Sequence, residues 1–303
     1  MTLSSRVNST ISTKTALLMA SSLFITTPAI AKYEYSPFKL SVAHVSTGTA
    51  DVGNDGNQLK RNVWMMDLEA SMSINRQWSI GASVGYDNLD YGWHVNQDSD
   101  IITASVPWDS INRYEVGLSV NYRPNKHWMF IASPKMQYAY ANTASSSNAR
   151  SYGLVAMGLY RYESGNSIGL GAAYLNDIEE SKVVPFLAID WQLSERWSLA
   201  NPFQVGFSGP AGLELRYQLN QDWDFSVGSS RRTQRFLIEN DDITVEIEEW
   251  VGFLRAGWQL SKSTSLSAYA GYYFGGEMNL SSPDITEDIE NQVAGALAFD
   301  VKF

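Results

Sequence analysis

Apolar and polar residues alternate with a period of two along most of the chain. Trp64, Met66, Leu68, Ala70, Met72 and Ile74 fall on one face of a segment whose other face carries Asp67, Glu69, Ser71 and Ser73. Tyr114, Val116, Leu118, Val120 and Tyr122 alternate with Arg113, Glu115, Ser119 and Asn121, and Leu213, Leu215, Tyr217 and Leu219 alternate with Glu214, Arg216 and Gln218. Successive side chains of a strand point to opposite faces, so each segment reads as a strand with one apolar and one polar face. The pattern predicts strands at 38–45, 62–75, 77–87, 111–123, 127–140, 151–162, 167–177, 182–193, 197–207, 211–219, 223–233, 248–260, 264–274 and 291–303. These make fourteen, with twelve as the fallback. The weakest are 38–45, which is short, and 197–207, which places Asn201 on its apolar face.

A short polar turn punctuates these strands: Ile74-Asn-Arg-Gln-Trp78, Arg123-Pro-Asn-Lys-His-Trp128, Leu193-Ser-Glu-Arg-Trp197 and Leu219-Asn-Gln-Asp-Trp223. Turns without the tryptophan follow Leu260 and Glu163. Each reads as a hairpin. Trp78, Trp128, Trp197 and Trp223 each take the first apolar position after a turn and would lie in one plane, as an aromatic belt does at a membrane–water interface. Turns at one end are three or four residues, while the other end carries long segments such as 88–110 and 275–290. The apolar faces run over five or six alternate positions, close to the ~9–11 residues of a tilted membrane strand. These three features favour a membrane barrel over a soluble sandwich. A lipid-exposed sheet must close, because an open edge has no water to bond. The expected fold is all-β, a transmembrane antiparallel up-and-down barrel.

The N-terminal segment supports export. Arg6 and Lys14 precede an apolar run from Ala16 to Ile25, and Ala29-Ile30-Ala31 supplies a small-residue cleavage site. The expectation is a cleaved signal peptide at 1–31 and a single barrel domain at 32–303. At the other end Val293, Gly295, Leu297, Phe299, Val301 and Phe303 alternate with Ala294, Ala296, Ala298, Asp300 and Lys302. That segment resembles the signal by which outer-membrane barrels are recognised by their assembly machinery, with Phe303 as its terminal aromatic. The stretches Gly212-Leu-Glu-Leu-Arg-Tyr-Gln-Leu219 and Tyr269-Ala-Gly-Tyr-Tyr-Phe-Gly-Gly-Glu277 resemble an uncharacterised proteobacterial outer-membrane barrel family, a domain of unknown function. The resemblance implies a Gram-negative outer-membrane location and carries no activity.

Charge then narrows the partners. Of 22 basic residues, two lie in the leader, leaving 20 against 32 acidic and a net charge of −12 for the mature chain. That sign argues against nucleic acid. The absence of cysteine removes disulfides and thiolate metal sites, and no cofactor or metal site is implied. With apolar faces turned to lipid, the lumen is expected to be lined by Asp67, Glu69, Arg113, Glu115, Lys135, Arg161, Asp190, Glu214, Arg216 and Arg255, among others. Such near-balanced charge either pairs across strands or lines a wet channel. The excess acid sits in 88–110, 236–249 and 275–290, which hold 4, 6 and 5 carboxylates and no Lys or Arg. Read as outer loops, they favour cations at the mouth and are candidates to hold divalent ions. Arg231, Arg232 and Arg235 either clamp lipopolysaccharide phosphates or pair with the acids of 239–249.

Catalysis has little to build on. His44, His94 and His127 are the three histidines, and neither a G-x-S-x-G elbow nor a His-x-x-x-His pair occurs. The reading favoured by the sequence is a porin-like passive channel with a weak cation preference, in contact with outer-membrane lipids and lipopolysaccharide. The alternatives are a non-conducting structural or surface-binding barrel and, remotely, an outer-membrane acyl-ester hydrolase.

Deleting Phe303 is expected to leave export intact and block membrane assembly. A truncated protein that reaches the outer membrane in heat-modifiable form at normal yield would remove that role from the terminal aromatic.

Overall fold

The computed structural model describes residues 37–96, 108–177, 180–202, 206–209, 211–238, 243–282 and 284–303; the expected leader and the middle of 88–110 lie outside them. The strands are β1 (Phe38–Thr47), β2 (Ala50–Val52), β3 (Asn57–Ser73), β4 (Trp78–His94), β5 (Ser110–Tyr122), β6 (Trp128–Ala141), β7 (Arg150–Arg161), β8 (Ser167–Asp177), β9 (Glu180–Gln192), β10 (Trp197–Ala200), β11 (Ala211–Gln218), β12 (Trp223–Ile238), β13 (Ile243–Ser261), β14 (Thr264–Ser281), β15 (Asp284–Ile289) and β16 (Gln292–Lys302). All but β2 and β15 form a closed antiparallel 14-strand barrel. Each predicted strand has its counterpart. β1 closes the ring by pairing with β16 on one side and β3 on the other, with Val42 opposite both Phe299 and Met66.

The outer face of the wall is apolar. Leu170, Val183 and Leu254 are 73%, 68% and 62% exposed on the outer surface, along with most of the other outward apolar residues. A water-soluble protein rarely exposes so continuous an apolar band, whereas lipid solvates it without cost. The barrel therefore spans a membrane through strands.

The repeated turn has a mechanism. The side chain of Asn75 accepts hydrogen bonds from the backbone N–H groups of Gln77 and Trp78, at 2.8 and 2.9 Å. Asn125 does the same for His127 and Trp128, and Asn220 for Asp222 and Trp223. Ser194 serves Arg196 and Trp197 more loosely, at 3.4 and 3.3 Å. A short polar side chain that bonds the backbone two and three residues on closes the turn without help from tertiary packing. Each tryptophan then meets an aromatic residue directly across the ladder: Trp78 with Tyr122, Trp128 with Tyr160, Trp197 with Tyr217 and Trp223 with Trp258, at ring separations of 4.4 to 5.2 Å. At the same end Phe303 and Phe38 exchange backbone hydrogen bonds of 3.0 Å, and their rings stack at 5.6 Å. Short turns and both ends of the barrel lie at this end, the one the sequence reading takes as periplasmic.

The outer end closes a second time, on a smaller perimeter. β12 crosses the mouth and its Leu237 bridges in parallel to Tyr140 of β6, while Ile289 of β15 bridges Val52 of β2. Among the described residues this makes a nine-strand ring of β12, β13, β14, β15, β2, β3, β4, β5 and β6, with β7 to β11 left outside it. A ring of eight or nine strands is only wide enough for side chains to fill. It is filled here: Leu59, Leu89, Tyr91, Trp108, Ile111, Phe236, Ile238, Val245, Ile247, Met278 and Leu280 are all buried in one cluster. Trp108 packs edge-on against Tyr91, Trp93 and Phe236 at 5.1 to 5.9 Å.

Four sequence expectations need correction. The segment 236–249 is mostly strand, because β12 runs to Ile238 and β13 begins at Ile243, and 275–290 is likewise built into β14 and β15. β4 also continues through His94 into the stretch expected as a loop. Strand 197–207 stops at Ala200. Asn201 takes over its ladder, with its amide N–H and Oδ1 bonded to the backbone of Ile189 and its Nδ2 donating to the carbonyls of Leu187 and Gly212. Pro202 follows and cannot donate to a ladder.

Leu254→Arg is expected to cost about 2–4 kcal/mol in a bilayer, the value for a cation at mid-membrane on the lipid face. Urea unfolding in lipid vesicles measures it. A cost near that of Leu254→Ala would mean the face is wet rather than lipid-facing.

Candidate functional site

The lumen of the larger ring is polar, and most of its charges are paired. Lys39 lies 3.0 Å from Asp300, which also accepts a 2.6 Å hydrogen bond from Ser41. Asp67 and Glu69 face the lumen opposite Ser41 and Lys39 in the ladder, and both are buried. Lys135 pairs with Glu115 across β5 and β6, and Arg113 with Asp87 across β4 and β5. Glu214 lies between Arg216 at 3.2 Å and Arg255 at 3.3 Å. Arg255 also pairs with Asp224 and donates to Ser226 and Ser267 at 3.1 and 3.4 Å. The interior-facing pattern of β7 and β9 puts Arg161 and Asp190 inside as well. Cross-strand placement makes these pairs geometrically easy, since directly opposed residues lie within side-chain reach.

Above this layer a segment missed by the sequence reading narrows the lumen. Between β10 and β11 the described residues 206–209 lie inside the wall. Gly206 has φ +136°, a conformation rarely open to side-chain-bearing residues, and a Cβ there would come within 3.3 Å of Ala43 on the opposite part of the wall. Phe207 is buried among Phe253, Tyr269 and Tyr273, with ring centroids at 6.5, 5.8 and 5.3 Å. Its ring rests on Gly271, where a Cβ would collide at 2.3 Å. The stretch Tyr269-Ala-Gly-Tyr-Tyr273 is thus a seat for Phe207: two aromatic walls with a glycine floor. The Phe207 carbonyl accepts a 3.1 Å hydrogen bond from Arg232, which also donates to the Tyr273 hydroxyl at 2.7 Å.

Arg61 holds the junction between the two rings. Its guanidinium bonds Glu249 bidentately at 2.9 and 2.7 Å and donates to Gln292 at 3.1 Å. Gln292 in turn bonds the carbonyls of Gly48 and Leu59, and the Arg61 backbone bonds Thr47. The group therefore satisfies the chain where β1 and β16 leave the wall. Arg61 and Arg232 flank the Tyr273 ring at 5.1 and 5.6 Å. Arg61 lies just before the predicted strand at 62–75, and Glu249 falls where the acidic segment 236–249 overlaps the predicted strand 248–260, so strand-by-strand reading does not bring the two together.

The outer arginines and acids likewise find one another. Arg231 pairs with Glu248, and Glu246 lies 2.8 Å from Arg235 and 3.6 Å from Lys182. Arg231 and Arg235 thus pair with acids of 239–249 while Arg232 turns to Phe207 and Tyr273, and Glu246, Glu248 and Glu249 are not free rim charges. On the side where β10 is missing, no strand among the described residues pairs with β9 above Asp190. The histidines are dispersed. His44 faces lipid, 4.4 Å from the Trp64 ring. His127 bonds the Arg161 carbonyl at the periplasmic end, and His94 ends β4. Trp78, Trp128, Trp197 and Trp223 lie outside the lumen as the exposed belt described above.

The chain belongs to the DUF6268 family, a domain of unknown function, whose model matches residues 51–292. No curated protein matches it in sequence. Solved structures similar to it include the COG4313 outer membrane channel from Pseudomonas putida F1, at 11% identity and a TM-score of 0.49 over 91% of this chain and 99% of that one. A Pseudomonas aeruginosa FadL homologue is similar at 11% identity and a TM-score of 0.46, covering 88% and 89% of the two chains. The Pseudomonas putida toluene transporter TodX is similar at 10% identity and 0.43, over 95% of each.

Arg61→Ala is expected to destabilise the barrel by about 3–5 kcal/mol, because it leaves Glu249 buried and unpaired. The double variant Arg61→Met/Glu249→Leu should recover most of that loss. Equal unfolding free energies for the single and double variants would mean the pair is not what holds this junction.

Proposed function

We propose that this member of the family is an outer-membrane barrel acting as a passive channel for small solutes, gated at the Phe207 constriction. Support for the membrane comes from the even strand number, the aromatic belt and the short turns at one end. The observation that carries the channel reading is a charged lumen in a ring of fourteen strands, which is wide enough to hold water, narrowed by an inserted segment rather than filled from wall to wall. The packed outer ring blocks a straight axial path. Passage therefore runs past Phe207 into the lobe walled by β7 to β9, which the outer ring leaves free.

A weak cation preference belongs to this proposal, with its source moved. Glu246, Glu248 and Glu249 are held in ion pairs, so the field at the outer rim falls to Asp284, Asp288 and Glu290, which are exposed. No Lys or Arg occurs between Ser263 and Val301. Bound divalent cations and lipopolysaccharide stay as proposed partners of that rim, and the assembly machinery as the proposed partner of Phe303. A second reading, the non-conducting structural barrel, draws on one specific observation: the apolar core of the outer ring and the paired lumen together leave few charges unused.

Single-channel recording in a planar bilayer tests both. Conductance is expected to rise in Phe207→Ala and again in Gly271→Ala, which evicts the same ring by filling its seat. Reversal potentials in dilute salt are expected to favour cations and to weaken when Asp284, Asp288 and Glu290 are neutralised together, with the effect fading near molar salt as screening sets in. A silent bilayer for the parent and both constriction variants would decide for the structural barrel.

A further inference from the structure

The periplasmic end of the lumen holds a cavity of about 730 Å³ that the constriction does not use. It lies between the β3–β4 and β5–β6 turns and the lower inner faces of β6 to β8. Its volume falls within the roughly 300–1,000 Å³ of small-molecule sites. Arg76, Arg123 and Arg161 line it, and Pro124, Met129 and Leu159 supply apolar wall. Among the described residues no carboxylate lies within 4 Å of any of the three guanidiniums; Asp190, one strand beyond Ser167 from Arg161, is near enough to share its field without pairing with it. The acid beside the cavity, Glu163, is taken by Lys126 at 2.6 Å and lies 3.5 Å from His127. Arg123 donates to the thioether of Met129 at 3.2 Å, a weak acceptor that leaves its remaining donors for something else.

This is the reverse of the lumen further in, where Arg113, Arg216 and Arg255 each have a carboxylate. Burial, together with the Arg161 charge, pulls the Arg123 guanidinium below its ordinary pKa, so the two cations raise each other's cost. Like charges held together beside an apolar wall are stabilised by an anion that reaches both. A guanidinium offers two parallel N–H donors to a carboxylate. The apolar wall favours a body that gains by leaving water, which a bare inorganic anion lacks.

We propose that this cavity is a periplasmic binding site for a small organic carboxylate, its head held by Arg123 and Arg161 and its apolar body lying on Pro124, Met129 and Leu159. The site stands whether or not the barrel conducts. The probe is cyclohexanecarboxylate, titrated calorimetrically into the full-length barrel in detergent, beside the neutral cyclohexylmethanol and inorganic phosphate. Saturable binding of the carboxylate is expected, with the alcohol and phosphate each at least tenfold weaker. Arg123→Gln and Arg161→Gln should each weaken the carboxylate at least tenfold, with heat-modifiability retained as a check on folding. Arg123→Lys, which keeps the charge and loses the fork, should fall between the parent and Arg123→Gln. No saturable carboxylate binding, equal binding of the alcohol, or unchanged affinity in folded variants overturns the proposal. Phosphate binding as tightly as the carboxylate overturns the part played by the apolar wall.

Discussion

A sheet surrounded by lipid cannot have an edge, because each unpaired N–H or C=O there lacks any partner. This chain meets that constraint twice, on two perimeters. Fourteen strands close in the membrane, and nine close above them once β12 has crossed to β6. Everything distinctive about the interior follows from the difference between those numbers. The larger ring encloses more space than its side chains fill and stays polar. The smaller one has the width of its own side chains and is packed with Leu, Ile, Val and aromatic residues.

A change of perimeter has to be paid for where strands leave the ring, and the buried polar groups sit at those exits. β1 and β16 end at Thr47 and Gln292, and there Arg61, Glu249 and Gln292 bond one another and the loose carbonyls. β10 ends at Ala200, and Asn201 bonds both neighbouring strands in its place. Neither group belongs to a cross-strand lattice. Each is the local replacement for a ladder that stops, so their removal should loosen the junction rather than the whole wall.

How far the sequence revealed this depends on the range of the interaction. Period-two alternation reports only which face a residue takes, and it located every strand of the larger ring. The turn motif was equally legible, since Asn75 bonding Trp78 is a contact over three residues. The second ring was not. Its strands continue from those of the first with the same alternation, but their inner positions change from charged to apolar. In β13 the inward series runs Glu249, Val251, Phe253, Arg255, so neither face is uniformly polar. Reading the acids beyond Ile238 as loop followed from taking apolar for lipid-facing throughout. Asn201-Pro202 was a visible warning, because an amide on an apolar face followed by a residue without an N–H seldom continues a strand.

The two unlike ends of the lumen make a final physical point. In the outer half, charge occurs where a partner is built in, as with Arg231 and Glu248 or Arg235 and Glu246. At the periplasmic mouth Arg123 and Arg161 face a cavity with no built-in acid. Desolvation explains why the first arrangement is required: an uncompensated charge deep in a packed ring costs several kcal/mol. It does not explain the second, because burial and the neighbouring Arg161 both count against a cation at Arg123. Arginine there is not forced by folding. Nor does the positive end match the acidic outer rim, so the lumen carries a gradient of sign from one mouth to the other. A solute anion entering from the periplasm meets attraction first and repulsion last, which favours residence at the inner mouth over rapid transit. The inner mouth is therefore the part of this barrel where binding, rather than conduction, is the property its residues are arranged to give.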